Sequence, residues 1–338
     1  MSTVEVATGA GGTTTRSMRE ALNLALAEAL ALDPTVFLIG EDLADPGGGI
    51  SQVTKGLSTA FGTDRVRDTP ISEVAIVGTA IGAAMAGLRP VAEVMIMDFI
   101  SITLDQLVNH AAKARFMSGG TVGVPLTVRT AVFGGIGSGA THSQTLEAWL
   151  AHVPGLKVVV PSTPADAKGL LSTCIFDDDP CVFIENVALY GTTGPVPDGD
   201  HKVPLGEADV KRSGLDVTVV TYGRTVRDAL AAAEELAGEG IDVEVVDLRT
   251  LVPFDAATVL ASAVRTRRVV VAHHATRFGG FGAEVAGVIN EELFGELDAP
   301  VARVGAQFAP IGSAPVLEAS VLPSATSIAE AVRLVVAH

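Results

Sequence analysis

The sequence predicts an α/β protein made of two doubly wound domains in tandem, and three observations carry that reading. Strand-like and helix-like runs alternate along almost the whole chain. Hydrophobic residues make up 48% of it with only 4% aromatics, the small-aliphatic composition of parallel strands covered on both faces by helices. At 338 residues it also exceeds what one hydrophobic core usually organises. The alternation breaks at 190–206, where three prolines and four glycines leave no helical period, so this stretch reads as a linker. It divides a first domain, 16–189, from a second, 207–338, and a Gly/Thr-rich tail over 1–15 is expected to be disordered.

Taken in order, Ser17-Met18-Arg19-Glu20 is a capping box that opens an apolar helix to about Leu32. A strand at 36–39 follows and ends at Glu41-Asp42. Further strands are expected at 91–95, 125–132, 156–160 and 181–184, with helices at 73–87, 99–117, 143–152 and 164–176. Beyond the linker the series is tidier, with strands at 217–221, 243–246, 268–272 and 302–305. Helices at 225–237, 255–265 and 281–294, and a last one from about Ser327, separate and follow them.

The charge balance excludes several functions. With 23 basic and 39 acidic residues the net charge is −16, which repels nucleic acid and anionic membrane surfaces. Cys174 and Cys181 form no CxxC and have no histidines at metal-ligand spacing, so they read as reduced core thiols of a cytoplasmic protein. No apolar run has the length of a membrane span, and residues 1–15 lack the basic-then-apolar layout of a signal peptide. There is no P-loop, GxSxG elbow or HExxH, which removes the usual NTPase and hydrolase readings.

Ile71-Ser72-Glu73 introduces the small-residue run 77–90, a lone carboxylate at the mouth of a segment stripped of bulky side chains. Such an acid suits a dry crevice where something flat approaches the backbone. The plain alternative is a close-packed core helix whose first-turn glutamate is favoured by the helix dipole. Gly135-Ile136-Gly137-Ser138-Gly139 follows a strand and suggests a dinucleotide fingerprint, but the next strand, 157–160, ends without the acid that would hold a ribose. A substrate-facing loop explains these glycines as well, and a helix-opening turn explains Phe278-Gly279-Gly280-Phe281-Gly282.

Taken together, Ile71-Ser72-Glu73, 82–90, Asp105-Gln106, 113–120, His142-Ser143-Gln144, 154–161, 177–180 and 247–253 carry a resemblance that runs from about Met18 to the C-terminus. The chain resembles the beta subunit of the thiamine-diphosphate-dependent 2-oxo acid dehydrogenase decarboxylating component, the family of the pyruvate, branched-chain and acetoin enzymes. That resemblance implies a transketolase-like pyrimidine-binding domain followed by a transketolase C-terminal domain. It also implies thiamine diphosphate shared with an alpha subunit that holds the diphosphate and magnesium, an assembly of two alpha and two beta chains, and a lipoyl acyltransferase partner. Glu73 matches the carboxylate that hydrogen-bonds pyrimidine N1′ and favours the tautomer whose 4′ nitrogen takes the thiazolium proton. Phe99 matches the aromatic that stacks on the pyrimidine, Met95 a neighbouring apolar contact, and His142 the histidine at the substrate channel. Leu126, Cys174, Asp177 and Asp179 match a potassium cage found in several relatives, a donor set of oxygens suited to a hard cation.

The departures bear on substrate. Thr141 precedes His142 where branched-chain enzymes tend to carry histidine and pyruvate enzymes glutamine, and Met97-Asp98 replace an aromatic and an asparagine common in pyruvate enzymes. The resemblance therefore points to an acetoin-type or broad 2-oxo acid enzyme. His274 stands where many relatives close a strand with a glutamate used in subunit contact. The Gly-Asp-Gly diphosphate motif is absent, since Pro197-Asp198-Gly199-Asp200 falls in the linker, so the alpha subunit is needed to complete the cofactor site. The alternatives are half of a split transketolase, which would want a basic phosphate cluster, and a non-catalytic scaffold of the same fold, against which Glu73 argues.

Overall fold

In the computed structural model, which describes residues 12–338, β1 (Thr13–Ser17) runs directly into α1 (Met18–Leu32). The junction is the reciprocal cap expected from sequence: Glu20 N–H donates to Ser17 Oγ at 3.2 Å and Ser17 N–H to Glu20 Oε2 at 2.7 Å. Thus 13–15 are strand where a disordered tail is expected, and 1–11 lie outside the described residues. The chain continues through β2 (Val36–Glu41), α2 (Leu57–Phe61), β3 (Val66–Thr69), α3 (Glu73–Met85) and β4 (Arg89–Ile96). The helix expected at 99–117 is three pieces: a 3₁₀ stretch Met97–Thr103, a π-helical turn Gln106–Ala111, and α4 (Ala112–Met117). Then come β5 (Thr127–Val132), α5 (Glu147–Ala151), β6 (Lys157–Val159), α6 (Pro164–Ile175), β7 (Cys181–Asn186) and β8 (Thr193–Pro197).

Two compact units emerge, one of residues up to Val132 with Leu150–Leu205, the other of Phe133–Trp149 with Gly206–His338. This differs from a single break at 190–206. Five residues of that stretch form β8, antiparallel to β1 with Pro195 opposite Thr15 and Pro197 opposite Thr13. A two-stranded ladder is all edge, and prolines two residues apart share one side of it, so their missing N–H groups can be accommodated.

In the first unit the strands lie in the order β6-β7-β5-β4-β2-β3, parallel throughout, with β4, β5 and β7 largely or wholly buried. At its centre Arg129 on β5 sits between two acids. It grips Glu185 with two N–H bonds, Nε to Oε1 at 2.7 Å and Nη2 to Oε2 at 2.9 Å, and reaches Glu93 Oε2 at 2.6 Å. The Tyr190 hydroxyl donates to Glu185 Oε2 at 2.5 Å. Burial pushes the Glu93 carboxyl above the usual range while Arg129 pulls it back.

The second unit contains β9 (Asp209–Arg212), β10 (Val217–Thr221), α7 (Thr225–Ala237), β11 (Val243–Asp247), β12 (Thr250–Val252), α8 (Ala256–Thr266), β13 (Val269–Thr276), α9 (Gly282–Glu292), β14 (Ala302–Ala306), α10 (Pro315–Val321) and α11 (Ala325–Val336). Its sheet has the order β14-β13-β10-β11-β9, with only β9 antiparallel to its neighbour. Pro315–Val336 has the length and mean hydropathy of a membrane span, yet it is two helices broken at 322–324. Ile328, Ala329, Val332 and Val335 of α11 pack into the core, while Arg333 pairs with Glu235 and Glu239 at 2.6 and 2.5 Å. That amphipathic division is the reason the segment belongs to a globular core.

Removing the central guanidinium leaves the buried Glu185 and the largely buried Glu93 carboxylates without their shared partner. Arg129→Leu is expected to destabilise the chain by about 3–5 kcal/mol at pH 7. Carboxylates with raised folded-state pKa values cost stability above their unfolded pKa, and that cost vanishes as pH falls and they protonate. Urea unfolding at pH 7 and pH 5 checks this: the loss in the variant should shrink at the lower pH.

Candidate active site

Parallel strands deliver their carboxyl ends to one edge of a sheet, where α/β folds build their sites. Glu73 opens α3 just beyond the end of β3, Met95 is the penultimate residue of β4, and Phe99 lies three residues past its end. Because β2 lies between β3 and β4, its last residue, Glu41, comes to that same edge. Glu73 is only 8% exposed, and its helix receives no side-chain cap from Ser72, whose hydroxyl donates instead to the Pro70 carbonyl at 2.9 Å. The first turn of α3 therefore keeps its positive end for the carboxylate.

The small-residue run divides by face. Ile76, Val77, Ala80, Ile81 and Ala84 are buried, whereas Val74, Ala75, Gly78, Thr79 and Gly82 are exposed. A Cβ at Gly82 would meet nothing within 4 Å, and one at Gly78 only Gln106 Cγ at 3.8 Å. Core packing thus does not explain these glycines, and the outer face of α3 is left open beside them. Glu41 is a residue the motif reading passed over, although its place at a strand end was visible. Burial, then the neighbouring carboxylates Glu73, Asp42 and Glu93, raise its pKa.

His142 belongs to the second unit, whereas Glu73, Met95 and Phe99 belong to the first. It lies in a turn, its N–H donating to the Gly139 carbonyl at 3.2 Å and its Nδ1 3.0 Å from Thr141 Oγ1. The helix expected from 143 begins only at Glu147. Thr145 turns its hydroxyl to His274 Nδ1 at 3.0 Å, and Ser143 is fully buried, so neither residue is in a helical first turn. Preceding His142, Gly135 and Gly137 donate their N–H groups to the two carboxylate oxygens of Glu318 at 2.7 and 2.9 Å. The backbone amides that a nucleotide phosphate would require are already spent on an internal acid, which rules out the dinucleotide reading of this loop.

The acid loop expected to cage potassium is organised by the chain's own cations. Lys157 Nζ holds both oxygens of Asp177 at 2.6 Å, Arg115 Nε meets Asp179 at 2.5 Å, and Arg89 meets Asp178 at 2.6 Å. The Leu126 carbonyl accepts from Cys181 N–H at 2.9 Å and that of Cys174 from Asp177 N–H at 3.2 Å. Each carboxylate that would neutralise a cation is already neutralised, so this donor set does not fit potassium unless the Lys157 and Arg115 pairs are given up. His274, in the place of the expected glutamate, is buried and faces inward to Thr145, with burial holding its pKa at about 3 and thus the ring neutral.

Two family models match the chain: the transketolase pyrimidine binding domain over residues 14–193 and the transketolase C-terminal domain over 206–328. The chain is 45% identical to the acetoin:2,6-dichlorophenolindophenol oxidoreductase subunit beta of Cupriavidus necator, over 94% of this chain and 96% of that one. It is likewise 45% identical to the 2-oxoisovalerate dehydrogenase subunit beta of Bacillus subtilis, over 84% of this chain and 87% of that one. This chain belongs to the transketolase-like beta subunits of the thiamine-dependent 2-oxo acid and acetoin dehydrogenases. Among solved structures, a split-gene transketolase described as an inactive beta4 tetramer superposes with a TM-score of 0.80 at 26% identity, over 97% of this chain and 99% of that one. Glu73, Met95, Phe99 and His142 all fall within the pyrimidine binding domain match, although the structure groups His142 with the second unit.

Glu41 and Glu73 share one patch of negative potential, so neutralising one should ease the other. In Glu73→Gln, Glu41 is expected to titrate at lower pH than in the parent chain, as followed by carboxyl-carbon NMR. An unchanged Glu41 titration would mean that the two acids do not communicate.

Proposed function

We propose that this beta subunit provides the pyrimidine side of a thiamine diphosphate site completed by an alpha subunit, in an assembly of two of each. The reaction is oxidative decarboxylation of a 2-oxo acid, or cleavage of acetoin, with the acyl group passed to a lipoyl acyltransferase. The observation that carries this reading is Glu73, buried at the start of α3 beside Glu41 and next to an exposed, small-residue helix face. When bound, the cofactor supplies an acidic thiazolium carbon and an electron sink for decarboxylation. Glu73 would hold a proton at pyrimidine N1′, with Phe99 and Met95 as the apolar wall that orients the ring. Glu41, retaining its proton to higher pH than an ordinary glutamate, would limit the negative charge beside Glu73. Magnesium is assigned to the alpha subunit, since this chain lacks the Gly-Asp-Gly motif. Two buried, free cysteines suit a reducing cytoplasmic setting.

His142 would serve the second half-reaction, as a proton donor near the sulfur that accepts the acyl group. A sugar-phosphate substrate is the competing reading, since a split transketolase shares the fold at 26% identity. The dehydrogenase reading is favoured by the 45% identity to two dehydrogenase-type beta subunits. Acetoin or a broad range of 2-oxo acids is the favoured substrate class, on Thr141, Met97 and Asp98.

Two measurements on the complex reassembled with the alpha subunit test these roles. Glu73→Gln should leave assembly intact and slow hydrogen–deuterium exchange at the thiazolium carbon by roughly two to four orders of magnitude. His142→Ala should lose more of its transfer to a lipoylated domain than of its decarboxylation with an artificial electron acceptor. Equal losses in the two assays, falling together with Tm, would reject the transfer role and leave His142 as a brace for its turn.

A further inference from the structure

The glycine loop between β5 and His142 is built around an anion that the chain itself supplies. Gly135, Gly137 and Gly139 have φ of +97°, +80° and +79°, the left-handed region in which side-chain-bearing residues are strained. Alternating such glycines turns successive amides toward one point and makes a concave anion nest. The carboxylate of Glu318, from α10, fills it with both oxygens, at 2.7 and 2.9 Å. Glu318 is 6% exposed, and these two amide hydrogen bonds compensate for burying its carboxylate. The Arg224 guanidinium makes a second tie, donating to the Gly134 carbonyl at 3.2 Å, and it occupies the space a Cβ on Gly135 would need. The last glycine of the series, Gly139, accepts the His142 N–H at 3.2 Å.

From this chain of contacts we infer that Glu318 is a positioning residue for the reaction. It occupies the Gly135–Gly137 anion nest and thereby fixes the loop from which His142 acts. The inference rests on the acyl-transfer role of His142. Without the carboxylate the two amides must turn to water, and the loop loses the constraint that sets where His142 stands. Displacements of about 1 Å at a reacting group cost on the order of 100-fold in rate.

Truncating Glu318 leaves a nest of backbone amides sized for a carboxylate, which a small free carboxylate can refill. In the complex with the alpha subunit, Glu318→Ala should lose about 10- to 100-fold in transfer to a lipoylated domain. Its decarboxylation with an artificial acceptor should fall less. Formate, added at tens of millimolar, should restore transfer saturably, whereas formamide, the neutral molecule of the same shape, should not. Amide hydrogen exchange at Gly135 and Gly137 should be slow in the parent, fast in the variant, and slow again with formate. If Glu318→Ala folds poorly, Glu318→Gln keeps the shape and points one NH₂ at a backbone N–H. It should show the same selective loss without formate rescue. Wild-type transfer in either variant overturns the inference, and so does formate that restores amide protection without restoring transfer. Should His142→Ala transfer normally while Glu318→Ala still loses amide protection, the reading of His142 has failed, and the catalytic part of this inference fails with it.

Discussion

A parallel ladder sends every strand's carboxyl end the same way, and the chemistry available to the first unit depends on that constraint. The registers of β2 with β3 and β4 bring Glu41, Glu73 and Met95 to one edge, although 54 residues of chain separate the first from the last. No single stretch of sequence could gather them. The cost is a sheet buried on both faces, with no water to satisfy a misplaced polar group. The Arg129 network is consistent with that cost, since a charged side chain is tolerated under the site only because two carboxylates and a hydroxyl close around it.

This strongly acidic chain meets its buried carboxylates in three ways. Glu185 and Glu93 are paired with a guanidinium, and Glu318 is held by two backbone amides. Glu147 accepts the Tyr222 hydroxyl at 2.7 Å, and burial raises its pKa. At the edge of the first unit the arrangement differs, because burial and the neighbouring carboxylates Glu73, Asp42 and Glu93 all raise the pKa of Glu41. Like charges held together in a partly dry place are unfavourable in a scaffold and useful in an acid–base site.

The acid loop after α6 illustrates how the same residues can satisfy two designs. Asp177, Asp178 and Asp179 are hard oxygen donors, and the resemblance reads them with Leu126 and Cys174 as a cation cage. In the fold, Lys157, Arg89 and Arg115 reach the same three carboxylates. An ammonium or guanidinium on the chain carries its charge without the entropic cost of capturing an ion, so the internal pairs are sufficient to close the loop.

Local chemistry was legible in the sequence. The capping box at Ser17, the alternation of both units, the start of α3 at Glu73 and the core-facing pattern of the second unit follow from nearest-neighbour rules of caps, turns and periodicity. Those rules could not find β8 among its prolines, the late start of α5, or the grouping of Phe133–Trp149 with the second unit. Each depends on a partner far along the chain: β1 for β8, His274 for Thr145, Glu318 and Arg224 for the glycine loop. In the sequence, glycines 135, 137 and 139 suggest a nucleotide fingerprint that then fails, and only the tertiary structure shows that their amides hold the chain's own carboxylate. Backbone amides bind any well-placed carboxylate alike, and which one arrives is fixed by packing 181 and 183 residues away.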